Sequence, residues 1–223
     1  MKKKLLDQLL TLITDNKRAL FDKVLAERTK HVTVVLENIF QPQNASAVMR
    51  SCDVFGIQDL HVIENNNTYN INPKVVMGAS KWVNLHKYNK KENNTLDCIN
   101  QLKSKGYKIY ATTPHTNDCL IEDIDLTDKC ALMFGTELEG LSQVAMDNAD
   151  GFVKIPMYGF TESLNISVCA AISLYEISRK LKSSDINWQL SEEEQVEQLL
   201  IWSRKVIKRS DIIEKDFIEK LSK

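Results

Sequence analysis

The sequence has few of the residues that build the commonest nucleotide loops. Its seven glycines (Gly56, Gly78, Gly106, Gly135, Gly140, Gly151, Gly159) form neither G-x-G-x-x-G nor G-x-x-x-x-G-K-[ST], so the dinucleotide and P-loop phosphate cradles are missing. There is no G-x-S-x-G turn, which removes the α/β-hydrolase elbow. The five cysteines (Cys52, Cys98, Cys119, Cys130, Cys169) are odd in number and contain no C-x-x-C pair. That argues against a disulfide framework or a zinc knuckle and for a reducing, cytoplasmic compartment. The four histidines (His31, His61, His86, His115) are isolated from one another and from any serine or cysteine nucleophile, so no catalytic triad is expected. No run approaches the ~18 uninterrupted apolar residues of a membrane span. The start, MKKKLLDQLLTLITD, interrupts its leucines with Asp7 and Gln8 and is expected to be neither a span nor an export signal.

What is present is an ordinary globular composition, with 43% hydrophobic residues and a net charge of -1 over 223 residues. A chain of this size buries roughly 70% of its unfolded surface on folding, so it needs no metal or disulfide to hold it together. The charge is segregated. Residues 1 to 31 carry six Lys and two Arg against four acids, and residues 202 to 209 add Arg204, Lys205, Lys208 and Arg209 with no acid, which leaves -9 for the remainder. Two readings of these basic ends are open: a phosphate-binding surface, or the solvated faces of two amphipathic helices.

Residues 3 to 30 place leucines, Ile13 and Val24 at mostly helical spacing, with a break expected near Thr14 to Asn16. From His31 the pattern changes to alternating strands and helices. The strands are Val32–Leu36, Leu60–Ile63, Tyr107–Thr112, Ala131–Phe134 and Phe152–Ile155. The helices are Ala45–Phe55, with Asn44 a candidate cap and Gly56 closing it, Glu92–Lys105, Ser142–Ala149 and Leu164–Leu181. This alternation predicts an α/β fold with a mostly parallel sheet covered on both faces. Residues 1–30 are then a helical arm, 31–182 the α/β domain, and 183–223 a helical extension that begins with a polar linker.

Three loops follow predicted strands, where parallel sheets place their ligands. The first runs from Glu37 to Gly56 and carries Asn44, Arg50 and Asp53. The second is Phe134-Gly135-Thr136-Glu137-Leu138-Glu139-Gly140-Leu141-Ser142, in which glycines bracket an acid. The third runs from Lys154 through Ile155-Pro156-Met157-Tyr158-Gly159 to Ser163-Leu164-Asn165-Ile166-Ser167-Val168-Cys169-Ala170-Ala171. Capping accounts for one of Ser163, Asn165 and Ser167, not for all three.

In order, N-x5-R-x2-D-x2-G, F-G-x-E-x2-G and I-P-M-x-G-x3-S-L-N-x-S-V-x-A-A resemble the three signature motifs of the SpoU (TrmH) family of RNA ribose 2'-O-methyltransferases. The likeness covers about residues 32 to 180 and includes His31-Val32-Thr33-Val34, Gly78 to Val83 and Leu174-Tyr175-Glu176. The resemblance implies the SPOUT fold, with a deep trefoil knot in its C-terminal part, S-adenosylmethionine as methyl donor without a metal, and a homodimer formed across the knot. Carried over residue by residue, Thr112, Thr113, Gly135, Glu137, Gly140, Ile155, Met157, Ser163 and Leu164 would shape the donor pocket. Asn44, Arg50, Glu137, Ser163 and Asn165 would form the active site.

The flanking helices are similar to those of members that methylate a D-loop guanosine of tRNA. The candidate RNA contacts are Lys17, Arg18, Arg28, Arg179, Lys180, Arg204, Lys205, Lys208 and Arg209. Family members commonly carry Lys-Pro-His-Asn where this chain has Gln41-Pro42-Gln43-Asn44, so the RNA contacts of those side chains differ here. Two alternatives remain open within the likeness: another tRNA or rRNA nucleotide as target, or a catalytically silent, knotted RNA-binding module. A flavodoxin-like metabolite enzyme is a third.

Overall fold

The computed structural model describes residues 1–114 and 119–221, and the chain divides into two compact units. One is Thr29–Trp188. The other joins Met1–Arg28 to the chain from Gln189 onward.

The smaller unit begins with α1 (Lys2–Leu10) and α2 (Asp15–Leu25). The break between them, over residues 11–14, meets the expected one at Thr14 and ends earlier than expected. Thr14 accepts from the Lys17 amide and starts α2, so Asn16 is already helical. Leu5, Leu6 and Leu9 pack with Leu200, and the Phe21 ring lies 5.4 Å from buried Trp202.

In the larger unit β1 (Val32–Glu37) leads through α3 (Pro42–Val54) to β2 (Asp59–Ile63). A short α4 (Pro73–Val76) then precedes β3 (Asn84–Tyr88), and α5 (Asn94–Ser104) precedes β4 (Tyr107–Thr112). The rest is β5 (Cys119–Leu120), β6 (Lys129–Phe134), α6 (Gln143–Asn148), β7 (Gly151–Lys154) and α7 (Ile166–Lys182). The smaller unit closes with α8 (Glu192–Val206), begun by a Ser191/Glu194 capping box, and α9 (Ser210–Leu221).

The described strands form one parallel sheet in the order β3-β2-β1-β6-β4-β7-β5. Strand periodicity divides the core in two. Val32, Val34 and Leu36 of β1 and Cys130, Leu132 and Phe134 of β6 face α3 and α7. Val35, Ala131 and Met133 face α5 and α6. Each large apolar side chain buried this way stabilises the fold by about 1.5–3 kcal/mol. Strands β3 and β5 have no counterpart in the pattern reading. β3 is an edge strand of largely polar, part-exposed residues, and β5 has only two residues. Neither shows the apolar run of a central strand such as β1, in which all six residues are buried.

Near the β3 edge, His61 is buried and stacks on His86 with ring centroids 4.6 Å apart. Its Nδ1 lies 3.0 Å from the Tyr88 hydroxyl. His86 faces the Asp59 carboxylate at 3.3 Å.

Helix α7 reads as apolar nearly all round, yet it buries one side only. Ala170, Leu174, Ile177 and Leu181 enter the core, while Val168, Ile172 and Tyr175, spaced i, i+4, i+7, remain 40–58% exposed. No described helix is long and apolar enough to cross a membrane.

Candidate active site

The register of β1 against β6 pairs Leu36 with Phe134, so the first residues beyond each strand emerge side by side. The outgoing loop of β1 enters α3, and the outgoing loop of β6 carries Glu137. At this junction the sequential run of strands on one side of the sheet meets the run on the other, which is where open parallel sheets form a crevice.

Three polar side chains from separate loops meet there. The Asn44 amide donates to the Glu137 carboxylate at 2.9 Å. The Asn165 amide donates to the same carboxylate oxygen and, at 3.2 Å, to the Asn44 side-chain oxygen. Asn44 is therefore not the helix cap its position suggests. Gln41 occupies that place, and Asn44 sits inside the first turn of α3 with its side chain turned to Glu137. Asn165 does cap α7, accepting from the Ser167 amide at 2.9 Å and its hydroxyl at 2.6 Å. Capping thus accounts for Ser167 as well as Asn165, and leaves Ser163.

The Glu137 loop is shaped by a backbone constraint. Thr136 and Gly140 exchange amide–carbonyl bonds of 2.9 and 3.1 Å. A Cβ on Gly135 would stand 2.1 Å from the Gly140 carbonyl carbon and oxygen, so only glycine fits. Gly140 itself adopts φ +69°. Behind the loop lies Glu37, a group that pattern reading passes over as the end of a buried strand. Its carboxylate, 1% exposed, accepts from the Ser142 amide and hydroxyl at 2.8 Å each and from the Thr95 hydroxyl at 2.5 Å. A buried acid is tolerable when hydrogen bonds satisfy it in this way. The sequence signal was an acid closing an otherwise apolar run.

A cavity of about 400 Å³ opens beside the triad. Among its lining residues are Thr112, Thr113, Gly135, Glu137, Gly140, Ile155, Met157, Ser163 and Leu164, together with Phe134 and Leu141. Thus every residue expected to shape a donor pocket borders this one space. The Thr112 hydroxyl is tied to the Met133 carbonyl at 2.7 Å and the Thr113 amide to the Val153 carbonyl at 3.1 Å, which fixes the wall they form. A chamber that sets the apolar side chains of Phe134, Leu141, Ile155, Met157 and Leu164 beside the carboxylates of Glu137 and Glu162 and the Ser163 hydroxyl fits an adenosyl compound carrying a charged tail.

Other expectations separate from this cluster. Arg50 is exposed on α3 and borders neither this cavity nor the smaller one next to it. Arg28 does not suit a phosphate contact: it is 2% exposed, with its guanidinium 5.7 Å from the Trp202 ring centre. Several other basic groups are already engaged. Lys180 donates to the Glu122 and Ile124 carbonyls at 2.9 and 2.7 Å. Arg179 pairs with Glu176 at 2.6 Å, and Arg204 forks onto Glu214 at 2.7 and 3.0 Å. Burial pulls the Lys205 ammonium below its ordinary pKa. Lys17 is half-buried, while Arg18, Lys208 and Arg209 are exposed.

His31 meets the Leu126 carbonyl at 2.7 Å, and His115 lies outside the described residues. Trp188 is partly buried against the core, its backbone oxygen taken by Thr29 and its ring facing Lys182. Among the described residues no group of three or more His, Cys, Asp or Glu is placed to hold a metal ion.

The family model described as "SpoU rRNA Methylase family" matches residues 31–175. The chain belongs to this family. It is 46% identical over 202 residues to a tRNA (guanosine(18)-2'-O)-methyltransferase of Borreliella burgdorferi, covering 91% of both chains. To the Thermus thermophilus protein of the same name it is 34% identical over 167 residues, covering 75% of this chain and 84% of that one.

Among solved structures, the A. aeolicus TrmH/SpoU tRNA modifying enzyme superimposes with a TM-score of 0.76 at 31% identity, covering 87% of this chain and 98% of that one. The SpoU methyltransferase AviRb from Streptomyces viridochromogenes, in complex with the cofactor AdoMet, gives 0.59 at 25% identity, covering 73% and 62%. This SpoU family member therefore has the α/β architecture of the family; its second and third sequence motifs line the cavity, and the first is joined to them through the Asn44–Glu137 hydrogen bond.

Proposed function

We propose that this SpoU family member transfers a methyl group from S-adenosylmethionine to a ribose 2'-hydroxyl of tRNA, at the guanosine(18) in the names of its relatives, which we assign to the D-loop. The observation that carries the reading is the meeting of Asn44 and Asn165 on Glu137, whose carboxylate borders the larger cavity. A silent RNA-binding module has no use for such an arrangement. When bound, S-adenosylmethionine supplies an electrophilic methyl on a positively charged sulfur. Ile155, Met157 and Leu164 would hold its adenosyl part, and Glu137 and Ser163 would face its polar end.

The protein's work is then positioning. Holding two substrates in line supplies roughly 7–11 kcal/mol of a barrier of this kind. Asn44 and Asn165 fix the carboxylate, so the rim is ordered before substrate arrives.

Arg50 takes the role of a clamp on the RNA phosphate beside the reacting hydroxyl, stabilising developing alkoxide charge. A guanidinium with pKa above about 12 is a poor base. Its exposed position outside both cavities agrees with completion of the site by a second copy of the chain. The exposed stripe Val168, Ile172 and Tyr175 on α7 supplies an apolar face for that homodimer. A knotted threading of the C-terminal part belongs to the same proposal, as does a cytoplasmic place of action. Lys17, Arg18, Lys208 and Arg209 would attract the polyanion.

The test is to incubate bulk tRNA with labelled methyl donor, digest it and identify the modified nucleoside. 2'-O-methylguanosine from the D-loop is expected, and label in no nucleoside or on a base overturns the reading. Arg50→Lys retaining measurable transfer supports the clamp. A folded lysine variant that binds tRNA but is wholly inactive counts for a base.

A further inference from the structure

A second cavity, of about 250 Å³, lies against the first. The two share Thr136, Glu137, Leu138, Glu139 and Ile166 as lining residues, so the Glu137 loop stands between them like a partition. The smaller chamber is completed from the other side by Ile39, Phe40, Gln41, Asn44 and Asn67. To the shared Thr136, Glu137 and Glu139 it adds the carboxamides of Gln41, Asn44 and Asn67.

Phe40 is an apolar ring left 75% exposed at its edge. The Gln41 side-chain oxygen is occupied by the Asn44 amide at 3.3 Å, which leaves its own amide hydrogens to donate. The Asn67 amide nitrogen is tied to the Asn38 carbonyl at 2.8 Å, which leaves its oxygen to accept. That loop is in turn held by the Asn38 side chain, which accepts from the Asn65 and Asn66 amides at 2.9 Å each. The Glu139 backbone amide is bound to the Thr136 hydroxyl at 3.1 Å. Its exposed carboxylate forms no ion pair among the described residues.

We infer that this chamber takes an unstacked purine with a 6-oxo, 2-amino edge, namely the base of the nucleotide whose ribose is methylated. The inference rests on the function proposed above. Guanine offers N1–H and N2–H2 as donors beside O6 as acceptor. A carboxylate and an amide oxygen complement the donors, and a glutamine amide complements O6. Adenine presents the reverse pattern and leaves the Glu139 carboxylate facing a lone pair. An exposed aromatic ring at the mouth supplies the stacking surface on which a base turned out of its helix is held. With the base there and the donor across the partition, the ribose lies at the Asn44–Glu137–Asn165 rim. In this assignment Glu139 accepts from N1–H and N2–H2, Gln41 donates to O6, and Phe40 stacks.

The test compares tRNAs assembled with guanosine or inosine at the methylated position, since inosine keeps O6 and N1–H and lacks only the 2-amino group. The wild type should favour guanosine in kcat/KM by about 10-fold or more, the scale of one lost hydrogen bond to a charged acceptor. Glu139→Gln should bring that ratio close to one, and Phe40→Ala should raise KM for tRNA with the ratio kept. Because the ratio is taken within one preparation, partial unfolding of a variant cancels. A wild type that does not distinguish the two tRNAs, or a Glu139→Gln protein that distinguishes them as well as wild type, overturns the pocket while leaving the methyl transfer intact. A wild type that transfers no methyl to either tRNA overturns the parent function and the pocket together.

Discussion

Two carboxylates stand at the outgoing ends of neighbouring strands, and they are used oppositely. Glu37 is buried, and hydroxyl and amide donors from two other segments surround it. Glu137 is exposed at a cavity rim and is held by two carboxamides. The first ties the loop down, and the second presents charge where a ligand arrives. The contrast teaches that donors to a carboxylate do not by themselves mark chemistry: what separates the two is access to the cavity.

The largest effect expected is from breaking the loop that joins these acids. Gly135→Ala places a methyl group inside the Gly140 carbonyl, so binding of S-adenosylmethionine should become undetectable by calorimetry; ordinary affinity would show that the loop adapts. Next, Glu137→Gln should lower kcat/KM for tRNA by about 100-fold or more, the scale of losing a group preorganised for the transition state. Its unfolding free energy should stay within about 0.5 kcal/mol of wild type, because the site is exposed.

Glu37→Gln inverts that signature. It sets an amide donor or a single acceptor against the Ser142 and Thr95 donors, and should cost about 1–3 kcal/mol of stability in denaturant melts. Any activity loss should disappear where the variant is fully folded. If Glu37→Gln instead kept full stability and lost kcat, the division of labour between the two acids would be wrong.

A third polar cluster sharpens the comparison through pH. Burial together with the charge of neighbouring His86 lowers the His61 pKa from 6.5 to about 3. Between those values the unfolded chain binds the proton and the folded one does not, so stability is full above pH 6.5 and falls as pH drops towards 3. At pH 5 the loss amounts to roughly 2 kcal/mol from this one residue. The Asp59 carboxylate is also held below its ordinary range, by His86, Lys30 and Asn84 acting against the opposing effect of burial. It contributes stability above about pH 3.8 that is lost in stronger acid. Equilibrium unfolding between pH 7 and 4 should show the slope, and His61→Asn should flatten it. The smallest effect is expected at the surface. Neutralising Lys208 and Arg209 should raise KM for tRNA and reduce the salt slope by roughly 0.7–0.9 for each phosphate that is no longer neutralised.

Much of this was legible in the residues. Runs such as Val32–Leu36 and Ala131–Phe134 read as buried strands because parallel strands covered on both faces need no polar alternation. The edge strand Asn84–Tyr88 was not legible, since one of its sides meets water and its composition resembles a loop. Asn44 read as a cap because asparagine before a helix usually is one. Its actual bond, to Glu137 93 residues away, has no local signature. Arg28 read as a basic contact because charge counts carry no information about burial.

By itself the sequence determined the central strands and helices of a mostly parallel α/β sheet, which three loops carry polar groups, and the family to which the motifs belong. These follow from periodicity and from residue order, both local properties of the chain. Only the tertiary structure decided that the three loops share one carboxylate, that Gly135 must be glycine because Gly140 folds back on it, and that a second chamber lies beyond the Glu137 loop. Contacts between residues far apart in the chain depend on strand order and register, and no stretch of a few residues encodes either.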